Sequence, residues 1–410
     1  MSRPPVGVPA RIALFAEQGH PDGAFKSGVT RLTGHLVDAC RRRGRVLDYF
    51  TYHGRGGTLR DGPVRYHTAV PRVPVTFHGL RVDALDVVPL LNRRFRDAAA
   101  GRDYDVVLAT SPGIGTQAQL LARRRGIPFA AIYTTDLPHY AEALVGARPG
   151  LGRLARAGAW RYLAWLYDRS RTDLVLVPTE EVRRALTDRV DAEAIVLGRG
   201  ADTLPFPTVE RPRRERPRLL YVGRIDYGQK NLGVLEEVVR RVGDRAELWV
   251  VGDGDDLPLM RERLAAGVDA GCVRFTGRVD DRDRLMRLYL DADVFVFPSL
   301  FDTLGQVVLE AQRAGLPVVV RDRGGPPELV RPGESGFVAP DDEAFVERIV
   351  ELVDGPQRRV RMGRAARAHA ESLPGWDDVT AQLLGHLDGL ARDAGRLQGG
   401  SPVASISVHS

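Results

Sequence analysis

Short apolar runs alternate with longer amphipathic ones along almost the whole chain, and no other feature limits its fold so strongly. "RIALFA" (11–16), "DVVLAT" (105–110), "PFAAIY" (128–133) and "DLVLVP" (173–178) read as buried strands. Helical patterns accompany them at 29–43, 115–125 and 179–187. The scheme repeats with "RLLYVG" (218–223), "AELWVVG" (246–252), "CVRFTG" (272–277), "DVFVFP" (293–298) and "PVVV" (317–320). Such alternation predicts an α/β fold with parallel sheets covered by helices on both faces, once in each half.

A chain of 410 residues exceeds one ordinary core, so two domains are expected. The break lies at "PFPTVERPRRERPR" (205–218), where proline and arginine crowd and the helical pattern stops. The expected plan is a Rossmann-like domain over 1–204, a linker over 205–217 and a second Rossmann-like domain over 218–374. A C-terminal helix over 375–395 and a disordered tail over 396–410 complete it. Ligands of doubly wound sheets bind beyond the carboxyl ends of the strands, so the expected site is a cleft between the two domains.

The chain is 43% hydrophobic and 27% charged, which suits a globular protein. Its two cysteines, Cys40 and Cys272, fall in separate halves with no zinc spacing, which points to a reducing compartment. The first apolar run is too short for a secretory signal, and no 18-residue apolar stretch occurs. A cytoplasmic location is expected. The net charge of +6 comes almost wholly from arginine. It suits phosphates or lipid head groups, or reflects an arginine-biased genome. No basic helix with a nucleic-acid motif is present, so no nucleic-acid partner is expected.

The stretch "FDTLGQVVLEAQRAGLPVVV" (301–320) carries Asp302 and Glu310 around a glycine. Leu304, Val307, Val308 and Ala311 mark one helix face, with Asp302 or Thr303 as its cap and Gly315 as its end. Glu310 is then expected about two turns into the helix. Eight helical steps separate the acids by roughly 12 Å. A glycosidase pair needs about 5–9.5 Å, so two ends of an extended ligand fit better. The helix start between them, with Gly305, offers free N–H groups to an anion. The alternative is a solvated helix with an ordinary cap. Three further loops share this predicted sheet edge. "YVGRIDYGQKNL" (221–232) brings Arg224 and Lys230 to a strand end as a phosphate clamp. "VVGDGDD" (250–256) contains Gly252, and "RDRGGPPELV" (321–330) contains Gly324 and Gly325, which can let backbone approach a ligand.

These motifs together resemble the retaining GT-B glycosyltransferases of family 4, over about residues 11–390. "PSLFDTLGQVVLEAQRAGLPVVVRDRGGPPELVRPGESGFVAPDD" (298–342) is similar to the family's E-x7-E block and the glycine segments that follow. "YVGRIDYGQKNL" resembles its phosphate loop, and "GRGADTLPF" (198–206) the segment that opens its second domain. "KSGVTRLTGHLVDACRRRG" (26–44) resembles its first glycine loop and helix. "YTTDLPHYAEAL" (133–144) is similar to the subgroup of lipid mannosyl- and sulfoquinovosyltransferases. Three departures stand out. Asp302 replaces the first glutamate, the Arg224-to-Lys230 spacing is one residue longer than usual, and Thr134 stands where many relatives have histidine.

The resemblance implies a GT-B fold, two doubly wound domains with a cleft. The first domain would bind the acceptor and the second a nucleoside-diphosphate sugar as donor substrate. The C-terminal helix, headed by Trp376, would cross back to the first domain. Arg224 and Lys230 would hold the diphosphate, Glu310 the ribose and Asp302 the sugar. The amides of Leu304, Gly305, Gln306 and Val307, with Thr303 beside them, would face sugar and phosphate. Gly28 and Gly252 would let loops approach, and Asp136 and His139 would face the acceptor or sugar. Transfer with retention is carried over from the family.

Arg224, Lys230 and the helix start can stabilise the leaving diphosphate electrostatically, so neither metal nor cofactor is expected. "DRD" (281–283) and "DAD" (291–293) read as helix surface and strand start. The rivals are a GT-B sugar-nucleotide epimerase, a phosphorylase or a non-catalytic sugar-nucleotide sensor. A pyridoxal lysine has no candidate in Lys26 or Lys230. The acceptor is left as a lipid, a glycan or a small molecule. "LGRLARAGAWRYLAWLYDRSR" (151–171) is either a helix packed on the first sheet with snorkelling arginines or a peripheral membrane contact.

Overall fold

The structure is a computed structural model that describes residues 9–17, 28–77, 80–87, 91–145, 150–202, 204–207 and 214–397. Lys26, residues 208–213 of the expected linker and 398–410 of the expected tail lie outside them. By internal packing the chain forms two units. The first takes the chain up to Pro178, Arg183–Gly198 and the chain from Asp377 onward. The second takes Thr179–Val182 and Arg199–Trp376.

In the first unit, β1 (Ile12–Phe15), β2 (Leu47–Tyr52), β3 (Gly57–Asp61) and β4 (Val64–Ala69) build one side of a sheet. A separate antiparallel hairpin follows, β5 (Pro74–Phe77) with β6 (Leu80–Asp83). β7 (Val106–Ala109), β8 (Phe129–Ile132), β9 (Leu174–Val177) and β10 (Ala194–Val196) complete the sheet. Its order is β10-β9-β8-β7-β1-β2-β4-β3, parallel except where β3 meets β4. The four apolar runs read from the sequence are β1, β7, β8 and β9, and all four are buried along their length.

β2 and β4 carry no such run, because they bury polar residues that satisfy one another. Asp48 on β2 lies 2.5 Å from His67 Nε2 on β4 and accepts from Arg102 Nη1 at 2.9 Å. Paired polar groups are tolerated in a core, so hydropathy alone hides these strands. The last helix, Trp376–Asp393, starts in the second unit and continues in the first. There Asp388 accepts from the Ala10 amide at 3.0 Å and from Arg45 Nη1 at 3.2 Å.

The second unit holds β11 (Arg218–Val222), β12 (Glu247–Val251), β13 (Val273–Gly277), β14 (Val294–Phe297), β15 (Val318–Arg321) and β16 (Gly336–Ala339). All pair in parallel, in the order β13-β12-β11-β14-β15-β16. The order reverses between β11 and β14, and in the first unit between β1 and β7. Such reversals splay the connecting loops apart at the carboxyl edge and leave room for a ligand.

Candidate functional site

The reversal point of the second unit gathers most of the residues singled out in the sequence. Two loops meet there, one after β11 and one after β14. Ser299 Oγ and the Leu300 amide both donate to the Gln229 carbonyl, each at 3.3 Å. This seam sets Lys230 against Asp302. Lys230 Nζ donates to Asp302 Oδ2 at 2.5 Å, and its ammonium lies 5.5 Å from the centroid of the Phe297 ring. Arg224 reaches the same loop, where its guanidinium donates to the Gln229 side chain and lies 3.9 Å from Asp226 Oδ2. Tyr221 holds the backbone beneath, donating to the Arg224 carbonyl at 2.7 Å.

The helix after β14 differs from the expected one at its start. It runs Gln306–Arg313, and its N-cap is Gly305 at φ 84° rather than Asp302 or Thr303. The loop is pinned elsewhere, which prevents the earlier start. The Asp302 carboxylate is taken by Lys230, and its carbonyl accepts from the Gly325 amide at 2.8 Å. Leu304 and Gly305 therefore belong to the loop, and Gln306 uses its side-chain amide on the Gly200 carbonyl at 2.9 Å. Glu310 sits about one turn into the helix, not two. It is 1% exposed and accepts from the Tyr289 hydroxyl at 2.9 Å.

The glycines of this edge make room mainly for one another's loops. A Cβ on Gly252, at φ 147°, would stand 1.8 Å from the Gly223 carbonyl oxygen. One on Gly325 would stand 2.1 Å from the Thr303 carbonyl oxygen, and one on Gly324 2.4 Å from that of Asp302. Thr303 also receives Thr179 Oγ1 at 3.4 Å. One acid in each of the two D-x-D stretches has a backbone partner. Asp281 caps a helix through the Arg284 amide at 2.8 Å, and Asp293 accepts from the Arg218 amide at 2.9 Å.

Sequence reasoning passed over Glu328, whose carboxylate accepts from the Glu180 and Glu181 amides at 2.8 and 2.6 Å. It thereby neutralises the start of the helix Glu180–Thr187. Burial pushes the nearby Glu181 carboxyl up, against the pull of the Gly324 amide.

The first unit's reversal point has another character. Gly28 opens the helix Gly28–Arg42, which leads from β1 to β2. Thr134, just past β8, donates to the Thr110 carbonyl at 2.7 Å. Asp136 and His139 are hydrogen-bonded through His139 Nδ1, and the His139 amide donates to Asp136 Oδ1 at 3.3 Å. Glu17, directly after β1, went unnoticed in the sequence. An acid at the carboxyl end of a buried strand was the available signal. Its carboxyl is pushed up by burial, while Ser111 and the Ile114 amide at the next helix start oppose that rise. Gly113 leaves the space, since a Cβ there would meet Glu17 Oε1 at 2.4 Å.

Asp86, 2% exposed, bonds the Tyr52 hydroxyl through Oδ1, while Oδ2 has no hydrogen-bond partner. Burial pushes the Asp86 carboxyl up to about 7. Of the helix at 151–171, the part Leu151–Tyr167 is helical and buries Leu163, Leu166 and Tyr167. Arg171 and Arg189 stack on Trp165 and Trp160 at 5.0 and 4.9 Å, whereas Leu151 and Leu154 are exposed. Among the described residues no helix is long and apolar enough to cross a membrane.

Comparison with known proteins gives a consistent result. Residues 26–203 match the family described as Glycosyltransferase Family 4, and residues 216–355 that described as Glycosyl transferases group 1. The chain is 30% identical over 397 residues to a GDP-mannose-dependent alpha-mannosyltransferase of Mycolicibacterium smegmatis, covering 92% of this chain and 97% of the relative. It is 29% identical to the sulfoquinovosyl transferase SQD2 of Arabidopsis thaliana, over 92% of this chain and 72% of that protein. Its fold resembles a sucrose-phosphate synthase from Thermosynechococcus elongatus, with a TM-score of 0.73 at 20% identity, over 94% of this chain and all of the other.

Proposed function

The chain belongs to glycosyltransferase family 4 and is a glycosyltransferase; we propose that it moves a hexosyl-type sugar, with retention, from a GDP- or UDP-sugar to a hydroxyl of a lipid, glycan or small natural product. The observation that carries this reading is the meeting of Lys230, Asp302 and Arg224 beside a helix start at a reversal point. Arg224 and Lys230 take the diphosphate, and the helix start at Gln306 adds its N–H groups. Asp302 takes a sugar hydroxyl. Glu310 takes the ribose. As a carboxylate it is an acceptor, the partner that a ribose diol needs, and its place on the helix after the clamp suits that end of the ligand.

In transfer, the bond between the anomeric carbon and the phosphate oxygen breaks, and the acceptor oxygen bonds to that carbon on the same face. The acceptor's proton passes to the departing phosphate. Negative charge grows on that phosphate, and fixed cations lower the barrier in proportion to the growth. Two cations supply what a metal would. In the D-x-D stretches, Asp281 and Asp293 are engaged with backbone amides. Asp136 and His139 orient the acceptor. For a lipid acceptor, Leu151 and Leu154 among Arg153, Arg156 and Arg161 provide a peripheral contact with anionic bilayers, which vesicle flotation tests.

The test is a thermal-shift screen of GDP- and UDP-sugars, followed by mass spectrometry of products with candidate acceptors and by NMR of the new anomeric bond. Transfer with retention, unchanged by EDTA, is expected. A donor epimerised without transfer, an inverted product, or activity lost to EDTA and restored by metal would contradict the reading.

A further inference from the structure

Lys230 is occupied before any donor arrives. Its side chain is 10% exposed, and its ammonium lies 2.5 Å from Asp302 Oδ2. Asp302 cannot retreat with its backbone. Its carbonyl accepts from the Gly325 amide at 2.8 Å, and Gly324 packs so closely that a Cβ there would stand 2.4 Å from the same oxygen. The carboxylate leaves Lys230 by side-chain rotation alone.

A diphosphate that reaches Lys230 therefore competes with a carboxylate already held there. Free nucleoside diphosphate offers that carboxylate nothing in return and leaves it facing phosphate, charge against like charge. An intact sugar nucleotide brings hydroxyls that donate to the displaced carboxylate. We propose that the Lys230–Asp302 ion pair selects the intact donor over free nucleoside diphosphate, and that its re-formation after transfer helps to expel the product. This rests on the assignment of Lys230 to the diphosphate and of Asp302 to the sugar. Asp302 thus takes part in product release as well as in sugar contact.

Removing one partner of a largely buried pair leaves the other charge exposed to the next available counter-ion. Asp302→Asn keeps the shape and frees Lys230 for phosphate. Calorimetric titration of the full chain with GDP, GDP-mannose, UDP and UDP-glucose follows both ligand types, using the base that binds the native chain. In Asp302→Asn the nucleoside diphosphate is expected to bind about tenfold tighter. The sugar nucleotide should gain less, so discrimination between the two collapses. Asp302→Glu, which keeps the charge, should retain discrimination within about threefold and shows that the site still folds.

In a Lys230→Met background, Asp302→Asn should no longer tighten diphosphate binding, because the effect passes through the lysine. Unchanged or weaker diphosphate binding in Asp302→Asn would overturn the proposal. Tightening that persists without Lys230 would also overturn it, since that is the mere loss of a negative charge. Separately, if Lys230→Met alone leaves GDP and UDP affinity unchanged, the assignment of Lys230 to the diphosphate fails, and the ion-pair proposal fails with it.

Discussion

The two units reverse their strand order in the same way and place opposite chemistry at the reversal. In the second, Arg224, Lys230 and a helix start face the carboxyl edge beside one short acid. In the first, the helix start at Pro112 is already covered by Glu17, and Asp86 lies buried nearby with its carboxyl pushed up. Under the proposed assignment, a diphosphate is drawn to the cationic edge of the second unit rather than to the acid-lined edge of the first. Under that assignment one fold serves as anion receiver in one unit and carries an acid-lined edge in the other, depending on two or three side chains per edge.

The largest effect comes from removing the receiver's cations. Arg224→Ala and Lys230→Ala should each lower kcat/KM by more than tenfold and toward a hundredfold, since a charge-assisted phosphate contact is worth about 1.5–3 kcal/mol. Lys230→Ala should be the worse of the two, because it also strands Asp302 without its partner. Steady-state kinetics with the best donor of the screen checks this. Losses below threefold in both variants would erase the contrast between the edges.

Why one edge was legible in the sequence and the other was not follows from chain distance. Arg224 and Lys230 stand six positions apart, directly after a strand that any hydropathy reading finds, and Asp302 and Glu310 share one loop and helix. Glu17, Asp86 and Thr110 come from separate segments, and folding alone brings them to one edge. The strands β2 and β4 were hidden for a related reason, because Asp48 and His67 are polar in sequence and satisfied in the core. The same limit applied within the legible edge. Glycine spacing announced tight turns, but their tightness against Gly223, Asp302 and Thr303 needed the fold.

A middle-sized effect tests Glu310. Truncation to alanine is a poor probe, since it removes an acceptor of the buried Tyr289 hydroxyl, at a cost of about 1–3 kcal/mol. Glu310→Gln keeps an acceptor for Tyr289 and gives up the charge. The difference between charged and neutral hydrogen bonds predicts roughly tenfold weaker binding of the nucleoside diphosphate, with little change in melting temperature. Equal loss for a 2′,3′-dideoxy nucleotide would show that the ribose hydroxyls are not what Glu310 senses.

The smallest effect belongs to the other edge and concerns Asp86. Burial raises its carboxyl to about 7; Asp83 and Glu17 push the same way, and Tyr52 and Arg72 oppose them. An acid whose folded value lies above its unfolded one binds more protons when folded, so its contribution to stability falls as pH rises from about 4 to about 7. Asp86→Asn cannot ionise and escapes that loss. The variant's melting temperature relative to the native chain should therefore climb by a few degrees between pH 5 and pH 8, whatever its offset at pH 5. The Tyr52 hydroxyl keeps an acceptor in the asparagine carbonyl, so the comparison isolates the charge. A constant offset across that range would mean that Asp86 is ionised throughout, as an ordinary carboxylate is. The first edge would then carry full negative charge at neutral pH, and the contrast with the cationic edge would be sharper than burial alone allows.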